Sequence, residues 1–208
     1  MKTFKQLFAN SELVKYGKKE LIFSPHLKTE QVYQVVYGYI VTYTLSKDKE
    51  KRIQTLLAPG DIFPIVMHVR DIYTNIYCET LTPVTLKKIP KKNFVSLLHK
   101  DIRLANEVIG ILSNYMAIYV DRLENLELEN TEKKVISRLL FFAKRFGKKE
   151  KASYNIPVSF SHQFIGDSIN VSRENVTRVI ARLKKEKLLK SERGALILTN
   201  LTALQDKL

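Results

Sequence analysis

The stretch Ser161-His-Gln-Phe-Ile-Gly-Asp-Ser-Ile-Asn-Val-Ser-Arg-Glu-Asn-Val-Thr-Arg-Val-Ile-Ala-Arg-Leu183 decides how this 208-residue chain is read. Ser161 can cap a helix with its side-chain oxygen, and that helix would bury Phe164, Ile165 and Ile169. Gly166 falls mid-helix, where glycine costs ~1 kcal/mol relative to alanine. Close approach of a second helix is a physical reason to keep it. Asn170 tolerates the left-handed backbone that a tight turn requires. Ser172 can then cap a second helix, whose inner face is Val176, Val179, Ile180 and Leu183. Short helix, tight turn and second helix make a helix-turn-helix.

The outer face of the second helix carries Arg173, Glu174, Thr177 and Arg178 on its first turns. In a helix-turn-helix this part of the recognition helix enters the DNA major groove. Arginine can pair bidentately with guanine O6 and N7, and glutamate can accept from the cytosine amine. An acidic side chain among phosphates is unfavourable, so Glu174 is expected to point at bases. The bland alternative is the charged face of an ordinary amphipathic helix. Downstream, residues 188–198 read as a β-hairpin turning at Arg193-Gly194, the wing of a winged helix. Lys190 and Arg193 would then lie near the phosphate backbone, where contacts give affinity without sequence information.

Upstream of this segment the periodicity is helical. Ala105, Ile109, Leu112, Met116, Tyr119, Leu123 and Leu126 repeat at four- and three-residue spacings over three heptads. Residues 101–126 would span roughly 39 Å at 1.5 Å per residue. Val108, Ile111, Tyr115 and Ile118 form a second apolar stripe. One stripe can face a partner helix while the other covers the N-terminal domain, so a homodimer is expected. A helix buried along one stripe of its own domain is the alternative. A further helix is expected from Thr131 to about Arg145, closed by Gly147.

The first hundred residues read as short strands: 20–23, 31–37, 39–45, 52–57, 72–78 and 84–89, punctuated by Ser24-Pro25, Gly38, Pro59-Gly60-Asp61 and Thr82-Pro83. Residues 31–37 are apolar on both faces, as in a strand inside a sandwich or barrel. The expected fold class is therefore α+β: an N-terminal antiparallel β-roll (1–100), a long dimerisation helix (101–130) and a C-terminal winged helix-turn-helix (131–208).

Composition agrees with this layout. The formal net charge is +14, and residues 131–208 hold 17 Lys and Arg against 7 Asp and Glu. Such an excess points to a polyanionic partner or to a solvated lysine-rich surface. Cys78, the single cysteine, excludes an intrachain disulfide and a four-thiolate iron–sulfur cluster. The first twenty residues lack the apolar segment of a signal peptide, and no apolar run approaches the ~18–20 residues of a membrane span. A soluble, cytoplasmic protein with no membrane partner is expected.

On these residues the chain resembles the CRP/FNR family of bacterial transcription regulators, along its whole length and in domain order. Val171-Ser-Arg-Glu-Asn-Val-Thr-Arg178 is similar to that family's V-S/T-R-E-T-V-x-R recognition helix. The resemblance implies base reading by Arg173, Glu174 and Arg178, with phosphate contacts from Ser161, His162, Gln163 and Ser172. It also implies double-stranded DNA as partner, a palindromic operator with TGTGA-like half-sites centred ~34 Å apart, and RNA polymerase as a further partner.

The β-roll departs from the family pattern. Leu57-Ala-Pro-Gly60-Asp61-Ile-Phe63 resembles the L-x-x-G-D-x-F turn, but Pro64-Ile65 replaces the glycine–glutamate pair that follows it. Ile72-Tyr73 stands where an arginine and a serine or threonine would bind the cyclic phosphate, and Arg70 is two residues early. A phosphate buried without a cation is unfavourable, so cyclic AMP is not expected to bind and no cofactor is expected. An effector pocket, if formed, would be lined by Phe63, Ile65, Met67 and Tyr73. His68 could ligate haem or a metal, or simply be a satisfied histidine; no metal site is expected. Paired carboxylates, a nucleophile–base arrangement and a glycine-rich phosphate loop are all lacking, so an enzyme is not expected. The remaining alternative is a non-specific or architectural nucleic-acid-binding protein, distinguished by equal affinity for all sequences and a steep salt dependence.

Overall fold

The computed structural model describes residues 2–70, 75–150, 153–156, 160–192 and 195–208, with the backbone alone for residues 2, 3, 69 and 70. The chain divides into two compact units, Met1–Ala117 and Ile118–Leu208.

The first unit opens with α1 (Lys2–Leu7), β1 (Glu12–Tyr16), β2 (Leu21–Phe23), β3 (Gln31–Tyr37), β4 (Ile40–Leu45) and β5 (Lys51–Leu57). It continues with β6 (Ile62–Phe63), α2 (Ile65–Arg70), β7 (Tyr77–Thr80), β8 (Val84–Pro90) and α3 (Lys91–Lys100), and then enters α4 (Ile102–Glu127). Two four-stranded antiparallel sheets result, in the orders β1-β8-β3-β6 and β2-β7-β4-β5. This is the expected β-roll. The two apolar faces of β3 serve two cores. Tyr33 and Val35 pack with Phe23, Ile40, Leu57 and Phe63, while Val32 faces Phe4, Phe8, Ile89 and Phe94. The second core is closed by α1, α3 and the start of α4, through Leu104 and Val108.

Several elements of this unit differ from expectation. α1 and β1 were not foreseen, and α2 stands where pocket-lining residues were expected. The strand expected over 72–78 runs instead over Tyr77–Thr80, with residues 72–74 outside the described ones. Its register is set by pairing with β4, Thr42 opposite Cys78 and Ile40 opposite Thr80.

The second unit takes the end of α4 and adds α5 (Thr131–Phe146), β9 (Lys148–Glu150), β10 (Ser153–Ile156), α6 (His162–Ile169), α7 (Arg173–Lys185), β11 (Leu189–Glu192), β12 (Ala195–Leu198) and α8 (Leu201–Gln205). Asn130 caps α5 by accepting from the Glu132 N–H at 2.7 Å. Gly147 ends it with φ −75°, not in the left-handed region; glycine fits because a Cβ there would collide with the Ala143 carbonyl. The strands form one sheet, β11-β12-β10-β9. Its β11–β12 hairpin pairs Glu192 with Ala195, and the two residues between them lie outside the described ones. The core is aromatic: Phe142 stacks on Phe160 at 4.2 Å, and Phe160 on Phe164 at 5.0 Å. Within this unit Asn125 of α4 donates its amide to the Lys134 carbonyl of α5 at 3.0 Å.

Candidate nucleic-acid interface

The turn between α6 and α7 is built as its residues dictate. Ser161 caps α6 by accepting from the Phe164 N–H at 3.0 Å, and Ser172 caps α7 by accepting from the Asn175 N–H at 3.3 Å. Asn170 stands in the left-handed region at φ 55°, ψ 46°. The close approach that explains Gly166 comes from the turn itself rather than from a second helix. A Cβ there would collide with the Val171 carbonyl oxygen. Phe164, Ile165 and Ile169 are buried on α6, and Val176, Val179, Ile180 and Leu183 on α7, as expected.

A buried cation ties α6 to α5. Arg138 donates from Nε to the Ser168 hydroxyl at 3.0 Å, and Ser168 donates onward to the Ile165 carbonyl at 2.7 Å. The guanidinium lies over the rings of Phe141 and Phe142, 4.9 and 5.0 Å from their centroids. Burial, with a smaller contribution from neighbouring Arg122, pushes it down to about 10. Arg182 pairs with Glu132 at 2.5 Å, fastening α7 to the first turn of α5.

Those ties leave one face of α7 open. Arg173, Glu174 and Arg178 are exposed, and among the described residues none of the three has an ion-pair partner or a side-chain hydrogen bond. Thr177 is exposed but engaged. Its hydroxyl is 2.8 Å from the Arg173 carbonyl oxygen and 2.7 Å from Nδ1 of His162. It therefore differs from the expected base reader: what it offers outward is a methyl group and one lone pair. Gln163 is exposed but has one amide N–H engaged with Asp167 at 2.6 Å. Ser161, Ser172 and Lys190 are exposed. Arg193 lies outside the described residues.

The expected dimer residues lie on α4. Ile109, Met116 and Leu123 are 60%, 67% and 61% exposed, and Tyr119 is exposed as well. Ile102, 73% exposed, continues the seven-residue spacing one heptad earlier, and Val120 adds to the stripe; neither was foreseen. Leu112 and Leu126 are half-buried, and Leu112 packs against the second core of the β-roll unit instead. Val108, Ile111 and Tyr115 cover that unit as expected, Tyr115 reaching the Ile62 carbonyl at 3.4 Å.

The four expected pocket residues are not brought together. Phe63 is buried in the core between the sheets, with Met67 packed on it, whereas Ile65 is buried in the other core with Phe4 and Phe8. Tyr73 lies outside the described residues. The reason is α2, which begins at Ile65 and turns that side chain away from Phe63. His68 is buried, with Nε2 2.9 Å from the Gln31 carbonyl oxygen: a satisfied core histidine. Cys78 is fully buried in the first core, and burial pushes its thiol well up. No group of three or more metal-ligating side chains occurs among the described residues, and no helix among them is long and apolar enough to cross a membrane.

A roll of antiparallel strands, a long exposed helix and a capped helix-turn-helix with a hairpin define a class of two-unit DNA-binding regulators. Comparison with known proteins agrees. Residues 13–101 match the cyclic nucleotide-binding domain family, and residues 133–207 match the Crp-like helix-turn-helix domain family. The transcriptional activatory protein AadR of Rhodopseudomonas palustris is 23% identical over 176 residues, 85% of this chain and 72% of that one. The global nitrogen regulator of Synechococcus elongatus is 23% identical over 198 residues, 94% of this chain and 89% of that one. The structure of FixK2 from Bradyrhizobium japonicum superposes with a TM-score of 0.79 at 20% identity, covering 94% of this chain and 96% of that one. The chain belongs to the CRP/FNR family of transcription regulators, and its C-terminal unit carries the family's DNA-binding helix-turn-helix.

Proposed function

We propose that this protein is a homodimeric, sequence-specific transcription regulator that reads a palindromic operator with TGTGA-like half-sites and is not controlled by cyclic AMP. The observation that carries the reading is the open face of α7, where Arg173, Glu174 and Arg178 stand exposed on the first turns without partners among the described residues. Two arginines and a carboxylate suit guanine and cytosine edges, and a phosphate lattice alone would disfavour Glu174. Ser161, Ser172, Gln163, His162, Lys190 and Arg193 supply backbone contacts, and RNA polymerase is the further partner. The seven-residue stripe on α4 supports dimerisation, which a palindrome requires.

Ile65 supports the exclusion of cyclic AMP. Where the family places a ribose-binding glutamate, this chain buries an isoleucine among phenylalanines. The protein acts by binding in the cytoplasm and not by catalysis. The test is binding-site selection from random duplexes, followed by titration of the selected site against a shuffled one. Enrichment of an inverted repeat of TGTGA-like half-sites supports the reading. Equal affinity for all sequences, with a steep salt dependence, would replace it with non-specific binding.

A further inference from the structure

His162 opens α6, and its ring reaches across to α7. The Thr177 hydroxyl lies 2.8 Å from the Arg173 carbonyl oxygen, which can only accept, so its single proton goes there. At its 2.7 Å contact with Nδ1 of His162 the same oxygen must therefore accept. The imidazole carries a proton on Nδ1, and its neutral form presents a bare lone pair at Nε2.

We propose that His162 is a proton-gated phosphate contact: its neutral ring positions the recognition helix through Thr177, and only its imidazolium form holds a DNA phosphate. The inference rests on the DNA-binding reading above and goes beyond it in stating the protonation state that binding requires. A phosphate oxygen offers only lone pairs, so a neutral Nε2 facing it is repelled. Protonation turns that nitrogen into a charged donor without disturbing the Nδ1 contact with Thr177.

The charges around the ring favour the neutral form while DNA is absent. Burial, then Lys184 and Arg173 of α7, hold the imidazole below its ordinary value. From α5, Arg138 reaches α6 but is engaged with Ser168 on the helix's buried side, and on α6 itself Asp167 is engaged with Gln163. A phosphate reverses this balance, since it partners the imidazolium and neutralises the two cations. Binding then takes up a proton, and affinity rises as pH falls from the bound-state value toward the lower unbound one.

The experiment is titration of the selected operator duplex at pH 5.5–8.5 with the full-length protein and with the His162→Gln and His162→Arg variants. Wild-type affinity should rise by up to about tenfold per pH unit per half-site at its steepest. Calorimetry in buffers of different ionisation enthalpy should show net proton uptake. H162Q should be flat at the weak end of the range and H162R flat at the strong end, with neither taking up protons. A wild-type affinity independent of pH, or an H162Q slope equal to that of the wild type, overturns the proposal. Nitrogen NMR of the unbound protein adds a readout that needs no DNA: the proton must reside on Nδ1, and a proton on Nε2 overturns the proposal even if operator binding stands. Failure of the wild type to bind any duplex at any pH would overturn the DNA-binding reading itself.

Discussion

The Val171 carbonyl oxygen stands where a Cβ on Gly166 would be, while the Val171 N–H donates to the Gly166 carbonyl at 3.1 Å. One residue of the turn thus both pairs with the helix and excludes any side chain from it.

Gly166→Ala should therefore destabilise the second unit by about 1–3 kcal/mol, although alanine gains ~1 kcal/mol of helix propensity. The obstructing atom belongs to the backbone and cannot rotate away. Denaturant unfolding of the wild type and the variant measures the difference, and equal or higher stability of the variant would contradict the close approach.

Glu174→Ala should leave stability within about 0.5 kcal/mol, because the side chain is exposed and makes no partner contact among the described residues. It should relax base preference at one position of each half-site by about 1–3 kcal/mol. Repeating the site selection with the variant checks both the position and the magnitude. An unchanged sequence preference would remove Glu174 from the reading face.

Met116→Glu combined with Leu123→Glu should shift the protein to monomers in analytical ultracentrifugation at micromolar concentration. Both side chains are more than half exposed on α4, so an isolated chain would tolerate the change, whereas apposed stripes would bury four carboxylates. Loss of the dimer together with loss of helicity would instead indicate a folding defect, which circular dichroism of the same samples detects.

Cyclic AMP should give no heat of binding up to millimolar concentrations. Ile65, at the position where the family's ribose-binding glutamate would stand, is a core side chain buried with Phe4 and Phe8. A titration yielding micromolar affinity would overturn the exclusion.

The helix-turn-helix was legible because its instructions are local. Ser161, Gly166, Asn170 and Ser172 each act within three to five residues, and each does in the structure what its chemistry suggests. The β-roll was legible as a class, yet β1 was missed because its partner strand, β8, lies some seventy residues away and its pattern alone is mostly exposed. α2 was missed for a related reason. Phe63, Ile65 and Met67 looked like a pocket lining in a stretch whose family template has other residues there. The engagement of Thr177 by His162 spans fifteen positions and two helices, so spacing along one helix could not reveal it. Leu112 fits the heptad as well as Ile109 does, and only the phenylalanine core beside it decides that it faces inward.

Arg138 fastens α6 to α5 through Ser168, Arg182 fastens α7 to α5 through Glu132, and Asn125 of α4 joins α5 through the Lys134 carbonyl, all three within residues 118 to 208. A reading head built this way is a transferable part. Joined to an unrelated dimeric carrier, it would bring its helix-turn-helix along, while the carrier alone would set how far apart two heads can stand.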